Sequence, residues 1–159
     1  MIKQLLDRLG ATLYVQIWAD RIRMTDASTG QVHDEPPRVH YQVRRNGRFK
    51  VLAFGREAGA EAINPFAHPR SLFADFIAGE LLLNAMLKRY LNRHVLSPSP
   101  NIIIHPMEKT EGGLTAIELR AFREMALGAG ARSVVVYQGD ELQPGQIDFD
   151  ALERQNRDQ

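Results

Sequence analysis

The stretch "IELRAFREMALGAGARSVVVYQGDEL", residues 117–142, holds the densest glycine cluster of the chain. Glycine-rich turns are where backbone N–H groups cradle phosphate. That chemistry needs the order strand, glycine loop, helix, because a helix N-terminus supplies free N–H groups and the positive end of its dipole. Here Gly128 and Gly130 follow a helical pattern and precede the strand-like "SVVVY". They therefore meet carbonyls, and glycine suits that place because it enters the left-handed conformation that closes a helix. With Arg132 beside those carbonyls, the spacing predicts a helix stop.

Other residue types that could do chemistry are scattered. His33, His40, His68, His94 and His105 show no i, i+4 ligand spacing, so no metal is expected. His105 with Glu108 could serve as a base and its orienter, but a histidine ending a buried strand before Pro106 is more often there for packing. Asp34 and Glu35 precede Pro36 and Pro37 and read as a solvated turn. No serine sits in a Gly-x-Ser-x-Gly elbow. Arg44, Arg45, Arg48 and Lys50 make a basic hairpin, yet a net charge of +1 favours a solvated edge over a nucleic-acid surface. Neither a cofactor nor nucleic acid is expected.

The elements that would carry these residues follow from pattern. "ATLYVQIWADRIRM" is β-branched and aromatic and reads as one or two strands. "RVHYQVRRNGRFKVLAFG" places two strand-like runs around Asn46-Gly47, a dipeptide suited to a hairpin turn with positive φ at both central positions. From Leu72 to Leu91 the apolar residues take a helical period, and "SPSP" at 97–100 breaks the chain before the buried strand "NIIIHP". A second helix runs from about Thr115 to Leu127, "SVVVY" is another buried strand, and "ERQNRDQ" is a polar, frayed tail. Buried strands joined by a helix pair in parallel, with a right-handed crossover. The expectation is an α/β sandwich, a mixed sheet with helices packed on it.

Composition bounds the rest. A length of 159 residues with 44% hydrophobic content suits one packed domain, and the absence of cysteine suits a reducing cytoplasm. No apolar run is long enough to span a bilayer, and "MIKQLLDRLG" lacks the apolar core of a signal peptide.

The segment "TAIELRAFREMALGAGARSV" resembles the end of the first domain of the bacterial actin family MreB, through Thr115, Glu118, Arg120, Ala121, Arg123, Glu124, Ala126 and "GAGAR". Upstream, "SPSPNIIIHP", "LFADF", "AFGREA" and "DEPP" are similar to family segments in the same order. The resemblance covers roughly residues 1–138 and implies an actin-like, ribonuclease-H-like fold, with an MreB-like domain over 1–145 and a polar tail over 146–159. It also implies where nucleotide chemistry would sit. The first hairpin of the family carries an Asp-x-Gly-Thr-type turn, and here Gln16 stands for the Asp, Trp18 for the Gly and Ala19 for the Thr. A glutamine brings no anionic charge to a hydrated Mg²⁺, and a tryptophan blocks backbone approach to phosphate. The acidic pair expected after the last strand falls on Gln138 and Gly139, with Asp140 and Glu141 displaced beyond it and the following helix missing. With a second domain also expected to be absent, this reading makes the chain no enzyme and no ATP binder.

Two functional classes remain. One is a degenerate bacterial-actin domain acting by protein contact in the cytoplasm, touching MreB or other cell-shape proteins. The other reuses the ribonuclease-H-like scaffold for a new ligand or reaction. Ile2, Leu5, Leu6 and Leu9 fall on one helical stripe flanked by Lys3 and Arg8, which suits either a weak peripheral contact with the inner membrane or packing on the domain.

Overall fold

Strand β1, Thr12–Ile17, is buried along five of its six residues, as a strand covered on both faces must be. The computed structural model describes Ile2 and residues 10–91 and 98–158. In it β1 pairs antiparallel with β2 (Ile22–Asp26), which pairs antiparallel with β3 (Val32–Glu35). On its other side β1 runs parallel to β6 (Asn101–Pro106), and β6 runs parallel to β7 (Ser133–Val136). The sheet order is β3-β2-β1-β6-β7, a mixed sheet with helices on both faces. This is the α/β architecture that the alternating pattern implied.

Period two divides the central strands between two cores. Leu13, Val15, Ile17, Ile102 and Ile104 face the larger one, under helices α1 (Phe76–Tyr90) and α2 (Ala116–Ala129). There Leu82 and Leu83 of α1 are fully buried, each worth about 1.5–3 kcal/mol. Tyr14, Ile103 and Val135 face the smaller core with Phe149 and Leu152. Those last two belong to α3 (Phe149–Arg157), whose N-cap Asp148 accepts from the Ala151 amide. The segment read as a frayed tail, and the helix read as missing after "YQGDEL", are both corrected by α3. Two apolar anchors at i, i+3 suffice because the sheet offers Tyr14 and Ile103 as their partners.

α2 begins where the sequence placed it, whereas α1 begins at Phe76, four residues after the Leu72 read from the apolar period. Asp75 caps α1 through the Ala78 amide. Thr115 and Glu118 form a capping box at the start of α2. Gly130 ends α2 at φ 119, the left-handed stop expected of the glycine cluster. β4 (Val39–Val43) and β5 (Phe49–Phe54) form a separate hairpin sheet packed on α1. Its turn differs from expectation in one respect. Gly47 alone has positive φ, and its amide donates to the Arg44 carbonyl, so a type I turn is followed by one left-handed glycine.

Candidate functional site at the carboxyl ends of the strands

In open α/β sheets, ligand chemistry gathers outside the carboxyl ends of parallel strands, where strand order reverses. Here the reversal lies at β1, which has a parallel neighbour on one side and an antiparallel one on the other. Register sets Gln16 opposite His105 and Tyr14 opposite Ile103. Tyr14, Gln16 and His105 are therefore on one face, at one end of the sheet, and all are at most 2% exposed.

Hydrogen bonding fixes the state of this cluster. His105 Nε2 lies 3.0 Å from the Gly139 carbonyl, which only accepts, so that nitrogen carries the proton. Nδ1 then accepts from the Tyr14 hydroxyl at 2.5 Å, and the same hydroxyl oxygen accepts from the Leu142 amide. Burial lowers the pKa of His105 below its usual value. Burial also pushes the Tyr14 hydroxyl up to about 12. Both groups are thus held neutral, and together they pin the 139–142 segment across the strand ends. Glu108 is not His105's partner; the orienting groups are Tyr14 and Gly139.

Gln16 donates from Nε2 to Glu141 Oε1 at 2.8 Å, with Met107 Sδ 3.7 Å away. Arg23 Nη1 stands 3.7 Å from the same carboxylate oxygen. Glu141, set aside in the sequence as displaced beyond Gln138 and Gly139, is brought against Gln16. Gln138 lies elsewhere: its Oε1 accepts from the Leu114 amide and anchors the loop between β6 and α2. That loop, "MEKTEGGL", is also tied by Lys109, which donates to the His68 carbonyl. Between the loop and the strand ends opens a pocket of about 380 Å³, lined by His105, Met107, Thr110, Gly113, Gln138 and Gly139.

Trp18 and Ala19 form the turn after β1. The Trp18 amide donates to the Arg21 carbonyl, and the guanidinium groups of Arg21 and Arg23 lie 5.2 and 5.6 Å from the Trp18 ring centroid. Asn64 Nδ2 donates to the Ala19 carbonyl. Asp34 and Glu35 are not a solvated turn. They close β3, where Asp34 Oδ2 accepts from Arg23 Nε at 3.1 Å and Glu35 accepts from the Tyr90 hydroxyl. No group of acids and histidines suited to a metal occurs among the described residues. Ile2 is 76% exposed, and Leu5, Leu6 and Leu9 lie outside the described residues.

The chain is 32% identical over 119 residues to the cell shape-determining protein MreB of Pasteurella multocida (strain Pm70), a match covering 69% of this chain and 32% of that protein. The MreB proteins of Haemophilus influenzae and Escherichia coli K12 match at the same identity and over the same share of this chain. The chain is MreB-like. It spans about a third of the length of the MreB proteins it matches. Among solved structures, MreB 5 of Spiroplasma citri bound to AMPPNP superposes with a TM-score of 0.58 at 17% identity, over 81% of this chain and 38% of that one. The ADP-bound form of the same MreB superposes with a TM-score of 0.57. These neighbours share the actin-like fold. No family profile matches the chain.

The MreB match corrects one expectation. Gln16, Trp18 and Ala19, Gln138 and Gly139, and a second domain expected to be absent were together read as making the chain no enzyme, whereas its relatives are actin-like ATPases. Side-chain identities at family positions do not by themselves decide activity.

No helix among the described residues is long and apolar enough to cross a membrane.

Proposed function

We propose that the chain works in cell-shape or cytoskeletal organisation by contact with other proteins in the cytoplasm, MreB filaments among them, and that its first hairpin does not grip nucleotide phosphates. The match to MreB over 69% of the chain supports the cell-shape role. The bond between Gln16 and Glu141 carries the second half of the reading. It holds a carboxylate beside the end of the first hairpin strand, and a carboxylate repels phosphate. Trp18 adds bulk at the same turn, and Gln138 is already spent on the Leu114 amide.

Two measurements test this. A pull-down from native bacterial lysate should recover MreB, and its absence at excess bait would remove the contact role. Thermal melts with Mg-ATP should show no upshift, since a ligand selective for the folded state must raise stability by mass action. A clear upshift would overturn the phosphate reading while leaving the contact role standing.

The stripe of Ile2, Leu5, Leu6 and Leu9 supports a weak peripheral contact with an anionic membrane surface. Co-sedimentation with anionic liposomes that is lost in Leu5→Glu with Leu6→Glu, at unchanged melting temperature, would support it. Absence of wild-type sedimentation would dispose of it.

A further inference from the structure

Lys109 is, among the described residues, the one residue other than glycine with positive φ, at φ 55. A side chain in that left-handed region is disfavoured, and the conformation persists only where the surroundings impose it. Here the imposing contacts are the side chain's own. The Lys109 ammonium donates to the His68 carbonyl and reaches the Ser71 carbonyl at 3.5 Å, across 41 and 38 residues of sequence. The segment that receives it is firmly knit. Asn64 ties it to the turn after β1 by donating to the Ala19 carbonyl. The Pro65 carbonyl accepts from the Ala74 and Asp75 amides, and His68 Nδ1 accepts from the Arg70 and Ser71 amides.

The segment that carries Lys109 has no such frame. Residues 107–114 run between the end of β6 and the capping residue of α2, outside any helix or strand. Gly112 and Gly113 lie at φ 76 and 83, and glycine exchanges those values for negative ones without steric cost. At the far end the Gly113 amide donates to the Thr110 carbonyl and the Leu114 amide to Gln138 Oε1. Met107, Thr110 and Gly113 form one wall of the pocket of about 380 Å³ whose other wall is His105, Gln138 and Gly139. We infer that residues 107–114 are a strap that closes this pocket, with Lys109 as its latch and Gly112-Gly113 as its hinge. While the ammonium is seated, its hydrogen bonds offset the strained backbone. Once it leaves the two carbonyls, Lys109 relaxes to negative φ and the glycine pair takes up the change. The strap governs access to the pocket whatever enters it, so the inference rests on neither the nucleotide reading nor the cell-shape reading.

The test compares the full chain with Lys109→Leu, which keeps apolar bulk and removes the ammonium. Hydrogen exchange at the Gly113 and Leu114 amides should quicken by about tenfold or more, with the melting temperature unchanged. Dilute hydrogen peroxide reads access to the pocket, because Met107 lines it whereas Met24, Met86 and Met125 are buried. Sulfoxide should form faster at Met107 in the variant and at an unchanged rate at the other three. Should Lys109→Leu disturb folding, Lys109→Asn removes the latch with a side chain that tolerates the left-handed region. It should speed both readouts by less than Lys109→Leu, because less strain is left to drive opening. Exchange and Met107 oxidation unmoved in both variants would overturn the inference. So would oxidation quickened alike at all four methionines, which reports loosening of the whole fold.

Discussion

Glu141 accepts a 2.8 Å hydrogen bond from Gln16 across 125 residues of sequence. The pair joins the loop after β7 to the end of β1. Its companion is the bond between Tyr14 and His105, which holds the same loop from the other side.

Tyr14→Phe removes one hydroxyl and leaves two polar groups, His105 Nδ1 and the Leu142 amide, without their partner. We expect a loss of about 1–3 kcal/mol. At about 2–4 °C per kcal/mol for a chain of this size, the melting temperature should fall measurably. Hydrogen exchange at Leu142 should quicken. An unchanged melt together with unchanged exchange would refute the role of this hydroxyl in holding the loop.

Stability should depend on pH through the same pair. His105 has a lowered folded pKa, so the unfolded chain takes up its proton first, near the ordinary 6.5. Stability contributed by neutral His105 is present above that pH and is lost as pH falls from there through the lowered folded value. Tyr14 has the opposite sign. Its hydroxyl is raised from 10.0 to about 12, so its contribution is present below pH 10 and is lost as pH rises through that interval. Chemical denaturation across pH should show both slopes. His105→Gln should remove the acidic one, and an acidic slope identical in that variant would contradict the assignment.

The glycines that close α2 should answer differently to alanine. Gly130 sits at φ 119, where a Cβ is strained, and Gly130→Ala should cost about 1–2 kcal/mol. At Gly128 an added Cβ meets the Glu80 carboxylate, the far end of a flexible and partly exposed side chain. That carboxylate can swing aside, and alanine favours the helix by up to about 1 kcal/mol, so Gly128→Ala should be near neutral or stabilising. Equal losses at both sites, read by urea denaturation, would show that the stop is not local to Gly130.

Thr115→Ala removes the side chain that accepts from the Glu118 amide and opens the capping box of α2. The expected cost is about 1 kcal/mol, and Thr115→Ser should recover most of it because the hydroxyl returns. A serine variant as unstable as the alanine one would point to lost methyl packing instead.

What the sequence determined by itself is what short-range chemistry dictates. The order helix, glycine, strand read Gly130 correctly because the polarity of a helix end is local. The same holds for the helix placed from about Thr115, and for the apolar runs "NIIIHP" and "SVVVY" that became the parallel pair β6 and β7. The likeness to MreB was also legible, in short motifs kept in order. Tertiary structure alone decided the partners. Tyr14 and His105 lie 91 residues apart, and only the parallel register of β1 with β6 aligns them on one face. Glu141 looked displaced when counted along the chain, yet the turn after β7 carries it back over β1. α3 has two apolar anchors and a polar remainder, too few to announce a helix in isolation, and it is the sheet face of Tyr14 and Ile103 that gives Phe149 and Leu152 something to bury. Helix ends and strand runs answer to neighbours a few residues away, whereas the strand-end site answers to register, and register is settled only when both cores pack.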